Sequence, residues 1–128
     1  MIIKTTGKIE VNNGVRIILH DDFVRYYQWL INKYHYNTVK TQLPKHRAHI
    51  TVVNPKIHKN VDFNKAKKYI GKVVDVTFDP EEMYISKVNY WIPVKCEFAD
   101  KLKKELGVND GANYYGLHAT ICNKKFND

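Results

Sequence analysis

Cysteine is nearly missing: Cys96 and Cys122 are the two in 128 residues, too few for a disulfide framework or a four-cysteine zinc site. Both are expected to be reduced, buried thiols. No apolar run approaches the roughly 20 residues that a membrane-crossing helix needs, so no membrane partner is expected. The start, Met1-Ile2-Ile3-Lys4-Thr5-Thr6, lacks the basic stretch, long apolar region and small-residue cleavage site of a secretory leader. A cytoplasmic location is therefore expected. Acidic residues are also short, 13 against 21 Lys and Arg, for a formal net charge of +8. Such a balance raises the local concentration of anionic ligands and speeds their encounter. The lysines are spread out, with no long basic run, linker, repeat period or low-complexity tract.

What remains is an ordinary globular composition, 44% hydrophobic and 27% charged, in a chain long enough for one core and too short for two. Residues 1–128 are read as one domain. Between Gly7 and Leu19, two β-prone runs flank Asn12-Asn13-Gly14, which predicts an N-terminal hairpin. After Asp21-Asp22, taken as a cap, Phe23, Tyr27, Leu30, Ile31 and Tyr34 fall on one helical face. Ala48 to Val53 reads as a short buried strand stopped by Asn54-Pro55. A second helix is expected over Asp62 to Ile70, with Phe63, Ala66, Tyr69 and Ile70 inward, Lys65, Lys67 and Lys68 outward, and Gly71 ending it. Alternation around Val74–Phe78 and Val88–Val94 predicts antiparallel strands. Glu97 to Leu106 carries acid-first pairs, Glu97 with Lys101 and Asp100 with Lys104, before the stop Gly107. A turn-rich loop then leads into the strand Leu117 to Cys122. The fold class is α+β.

Two short segments carry chemistry. In a strand, side chains alternate between faces, so His49 shares a face with Thr51, and His118 with Thr120. Ile50, Val52, Ala119 and Ile121 point the other way, into a core. Each segment thus presents an imidazole and a hydroxyl on an otherwise apolar strand, which is costly unless they find partners or a ligand. Two such strands would frame a phosphate. One neutral imidazole takes a proton from the attacking oxygen and one protonated imidazole gives a proton to the leaving oxygen. The hydroxyls donate to the nonbridging oxygens. With six His and seven Thr in the chain, shuffling produces roughly 0.3 His-x-Thr matches, and roughly 0.06 when the second and fourth positions must be apolar. A single match is best read as a buried histidine satisfied by backbone; two complete matches are not.

His49-Ile50-Thr51-Val52 and His118-Ala119-Thr120-Ile121 resemble the paired signature of the two-histidine phosphoesterase superfamily, and the resemblance spans most of the chain. It implies two pseudo-symmetric lobes of mostly antiparallel sheet around a central cleft, with helices on the outer faces. Both motifs follow a helix through a polar loop, which also hints at two similar halves. The resemblance further implies a phosphoric diester hydrolase that needs no metal and no cofactor, with His49, Thr51, His118 and Thr120 catalytic. The chain is most similar to the small bacteriophage anti-CBASS enzymes, which cleave cyclic oligonucleotide immune signals. A phage-encoded chain would act in the host cytoplasm. The alternative substrate is an RNA bearing a 2′,3′-cyclic phosphate end, and a further alternative is a non-catalytic basic RNA-binding module.

Around this pair, Arg47 and Lys124 share strand parity with the histidines and are candidates for a second phosphate, although solvated strand-end charge is the plainer account. Trp91, Tyr90, Tyr114 and Tyr115 are candidates for base stacking. Trp91 is preferred because it lies on the face opposite Val88, Tyr90, Ile92 and Val94. His20, His35, His46 and His58 show no metal-ligand spacing and are read as surface residues. Which imidazole is the base, the bases and ring size of the substrate, and the oligomeric state are not encoded in any of these patterns.

Overall fold

The computed structural model describes residues 2–34, 41–42, 48–85, 89–110 and 116–124, with the side chains of 34, 41, 42, 123 and 124 also outside the description. The fold is α+β with an antiparallel sheet. The first two strands, β1 (Ile3–Val11) and β2 (Val15–Ile18), form the expected hairpin with Val11 opposite Val15. Its loop works because Asn13 takes a positive φ of 54° and Gly14 one of 133°, angles that Asn and Gly adopt with least strain. A side chain at Gly14 would sit 2.5 Å from the Val53 carbonyl oxygen, so glycine also lets the turn lie against the end of the fourth strand.

The remaining strands are β3 (Thr41–Gln42), β4 (His49–Val53), β5 (Val73–Phe78), β6 (Tyr84–Ile85), β7 (Asn89–Lys95) and β8 (His118–Lys124). They run in the order β3-β8-β4-β2-β1-β5-β7-β6, and a further β8–β7 pairing closes six of them into a barrel-like sheet. The closure is uneven. At one seam β4 meets β8 through the single pair Ile50 and Ala119. At the other, β5 meets β7 at Thr77–Lys95 and Phe78–Val94. Between the seams lie two longer-paired groups of four strands, β4-β2-β1-β5 and β3-β8-β7-β6.

One face of the sheet and the helices share a core. Ile17, Ile50, Val76, Ile92, Ala119 and Ile121 are fully buried there, each larger aliphatic side chain contributing about 1.5–3 kcal/mol relative to exposure. Helix α1 (Asp21–Tyr34) adds Tyr27 and Ile31, and sets Phe23 and Tyr27 edge-on against Phe78. Its N-terminus corrects the expectation. The capping group is His20, whose Nδ1 accepts from the Asp22 amide at 3.2 Å, while Asp21 and Asp22 stand in the first turn, favourably placed for the helix dipole. Helix α2 (Glu97–Leu106) buries Ala99, Leu102 and Lys103 and ends on Gly107 at φ 70°, as expected. Among the described residues no helix is long and apolar enough to cross a membrane.

The segment expected as the second helix is a 3₁₀ turn, Phe63–Tyr69, capped by Asp62. With three residues per turn, Phe63, Ala66 and Tyr69 eclipse one another on one face. Ala66 is buried, with Phe63 and Tyr69 packed against the core. Ile70, inward on an α-helical wheel, falls off that face and is 56% exposed. Both cysteines are buried and neither forms a disulfide.

Candidate active site

The first motif is anchored by the residue before it. Leu19 donates its amide to the Ala48 carbonyl at 2.8 Å, and the Ala48 amide donates to Asp21 Oδ1 at 3.4 Å. The start of α1 therefore fixes where β4 begins. Along β4 the alternation is as expected, His49 and Thr51 half-buried and Ile50 and Val52 buried. The second motif is anchored in a matching way, the Val94 amide donating to the Leu117 carbonyl at 2.9 Å. In β8, Ala119 and Ile121 are buried, while Thr120 is half-buried and His118 exposed.

The one pair at the β4–β8 seam, Ile50 opposite Ala119, sets the geometry of the site. Carried one residue either way, antiparallel register puts His49 opposite Thr120 and Thr51 opposite His118. All four side chains then share the face opposite the core. The two histidines are diagonal neighbours, about 7–8 Å apart at the backbone, so their rings can bracket a phosphate. His118 Nδ1 donates to the Gly116 carbonyl at 3.1 Å. Because a carbonyl only accepts, this bond places the ring proton on Nδ1 and leaves Nε2 to exchange protons with a ligand.

Each motif threonine is followed by a register shift. On β2, Val15 faces Val53 and Arg16 faces Thr51, skipping Val52. On β7, Tyr90 faces Cys122 and Trp91 faces Thr120, skipping Ile121. An extra residue of this kind re-aims the side chains beside it. Without the shift, Arg16 would face buried Val52; with it, Arg16 joins Thr51 on the open face and Ile17 joins Ile50 in the core. The same step on β7 sets Trp91 beside Thr120 and Ile92 beside Ala119. Arg16 and Trp91 thus hold equivalent positions on either side of the motif pair, and each is held from behind. Arg16 Nη2 donates to Glu10 Oε1 at 2.7 Å, and Glu10 is its register partner on β1. Trp91 stacks on Tyr84, its partner on β6, at 4.9 Å and 24°, and lies 5.3 Å from the His118 ring.

Of the residues singled out from sequence, His49, Thr51, His118, Thr120 and Trp91 come together. Tyr90 points into the core, 3% exposed. Lys124 ends β8 opposite Thr41, but its side chain lies outside the described part, as do Arg47, His35, His46, Tyr114 and Tyr115 altogether. His20 is exposed, as expected. His58 is not a surface residue. Its ring is buried because Nδ1 accepts from the Asn54 amide at 3.1 Å and Nε2 donates to Asp110 Oδ1 at 2.9 Å, while Lys103 reaches Asp110 Oδ2 at 2.7 Å. This network ties the loop after the first motif to the loop before the second. Arg16, Glu10 and Tyr84 escaped sequence reading. The alternation Val15-Arg16-Ile17 marks Arg16 as outward-facing, but only the register shift brings it to Thr51. No group of three His, Cys, Asp or Glu side chains among the described residues is arranged to hold a metal.

Compared with protein families, curated proteins and solved structures, the chain matches none.

Proposed function

We propose that this chain is a two-histidine phosphoesterase, a nucleotide phosphodiesterase that works without a metal ion and cleaves cyclic oligonucleotide signals in the manner of the phage anti-CBASS enzymes. The observation that carries the reading is the seam register at Ile50 and Ala119, from which each motif histidine faces the other motif's threonine. The two four-stranded groups between the seams support two lobes, β4-β2-β1-β5 bearing His49 and β3-β8-β7-β6 bearing His118. The matched anchors at Ala48 and Leu117 and the matched register shifts support their pseudo-symmetry.

In the mechanism, a phosphodiester lies between the rings. One neutral imidazole accepts the proton of the attacking oxygen, a ribose 2′-hydroxyl or water, as the new P–O bond forms. The other imidazole, protonated, gives its proton to the departing oxygen as the old P–O bond breaks. The hydroxyls of Thr51 and Thr120 donate to the nonbridging oxygens, where charge accumulates. A base next to the scissile phosphate stacks on Trp91.

The test is kcat/KM with excess EDTA on a panel of cyclic dinucleotides, cyclic trinucleotides and RNAs with 2′,3′-cyclic phosphate ends, with products identified by mass. His49→Ala and His118→Ala are each expected to cost about 100-fold or more. The double variant should cost far less than the product of the two, because the histidines act as one proton-transfer unit. Thr51→Val and Thr120→Val should be milder, and His20→Ala should stay close to wild type. Near wild-type turnover in folded His49→Ala or His118→Ala, or activity abolished by EDTA and restored by a divalent cation, refutes the mechanism. RNA ends cleaved in preference to cyclic oligonucleotides would reassign the substrate.

A further inference from the structure

Beside Thr51 the β1–β2 turn and the segment after β4 border an open pocket of about 460 Å³ whose lining includes Asn12, Asn13, Arg16, Thr51, Asn54 and Lys56. Its lining combines a guanidinium, an ammonium and three side-chain amides, all of which offer N–H donors. Arg16 stands one strand from Thr51 and, with the register carried one residue from the Ile50–Ala119 pair, two from His118, or about 10 Å from it at the backbone. The long Arg16 side chain spans part of that distance, so its guanidinium can reach a phosphate next to one held at the motifs. Glu10 grips Arg16 at Nη2 from the side away from the motifs. The fork is thereby held in place, and a fixed fork suits the bidentate geometry of phosphate. The matching position in the other half is the Trp91–Tyr84 stack, so the two flanks of the site differ in kind, one cationic and one aromatic.

We infer that the pocket beside Arg16 binds the phosphate adjacent to the scissile one, so that the preferred ligand carries at least two phosphates and crosses the site from Trp91 to Arg16. This rests on the phosphodiesterase reading for the words "scissile one", while the phosphate pocket itself can be tested by binding alone. A carboxylate behind the guanidinium would weaken an anion site made of Arg16 alone. Here the anion approaches the opposite side of the guanidinium, and Lys56 lines the same pocket.

The probes are adenylyl-3′,5′-adenosine without a terminal phosphate, and the same dinucleotide phosphorylated at its 5′ or its 3′ end. Dissociation constants are measured by calorimetry for the wild type, Arg16→Met and Arg16→Lys, with thermal melts alongside. One end-phosphorylated probe should bind the wild type about tenfold or more tightly than the unphosphorylated one, the scale of one charged hydrogen-bonded contact. Arg16→Met should remove most of that preference and Arg16→Lys should keep part of it. In the wild-type protein the Arg16 Nε–H resonance should shift with that probe and not with the unphosphorylated one, a readout that survives if a variant fails to fold. The inference is overturned if neither terminal phosphate tightens binding, or if the preference persists in Arg16→Met. Turnover on the nucleotide panel is followed in parallel. Preference without turnover would sink the phosphodiesterase reading and leave the pocket standing, whereas turnover without preference would do the reverse.

Discussion

Asp110 joins two buried groups, the His58 ring and the Lys103 ammonium, whose side chains are 5% and 9% exposed while its own is 20% exposed. Asp110→Ala removes the acceptor for His58 Nε2–H and the counter-charge for Lys103 in one step. Breaking a fully buried ion pair from one side costs about 3–5 kcal/mol, because the remaining charge is left without compensation. A carboxylate with some solvent contact belongs at the lower end, so about 3 kcal/mol is expected, a large share of the 5–15 kcal/mol that stabilises a typical domain. At this chain length the loss lowers Tm by about 12 °C. Asp110→Asn keeps an oxygen for His58 and loses only the charge, so its effect should be about half as large. Urea unfolding should show the same ranking with an unchanged slope, since the surface exposed on unfolding is the same. A fall of less than about 4 °C in Asp110→Ala would mean that water already screens the network. The clamp between the two motif-bearing loops would then have to be abandoned.

Two further outcomes follow from ionisable groups elsewhere. Lys68 and the Tyr69 hydroxyl both donate to Glu105, at 2.8 and 2.9 Å, and the Lys68 hydrogen bond, ahead of that from Tyr69, holds the Glu105 carboxyl below its ordinary range. A depressed folded pKa stabilises the fold above the unfolded value and loses that contribution as pH falls through the folded one; a carboxyl carbon titration by NMR should give Glu105 a midpoint below that of free glutamate, and a midpoint at or above it would contradict the contact. Burial raises the Cys96 thiol, outweighing the backbone hydrogen bonds that act against it, and Cys122 is 0% exposed. Ellman's reagent should therefore titrate neither thiol in the native protein within minutes and both in denaturant, whereas rapid native reaction would place a thiol at the surface.

Much of the architecture is written in local alternation. The hairpin about Asn13-Gly14, the buried parity of Ile50 and Ala119, and the Gly107 stop each depend on a few neighbouring residues, and each stands as expected. The exceptions share a cause. A period of 3.6 puts Ile70 inward where the chain winds with a period of 3, and nothing near His58 in sequence marks it as buried, because its partners, Asp110 and Lys103, lie 52 and 45 positions away. Alternation also marks which side chains leave the core, but not which of them meet. Arg16 and Thr51 are 35 positions apart, and their meeting depends on a one-residue shift after Val15 that no local pattern announces. The two His-x-Thr motifs can be read letter by letter, yet their opposition rests on one pair at a seam, a product of sheet closure. Sequence therefore names the chemical groups more readily than their surroundings. What distinguishes the two flanks, a guanidinium backed by Glu10 and an indole backed by Tyr84, emerges only when the strands are set side by side.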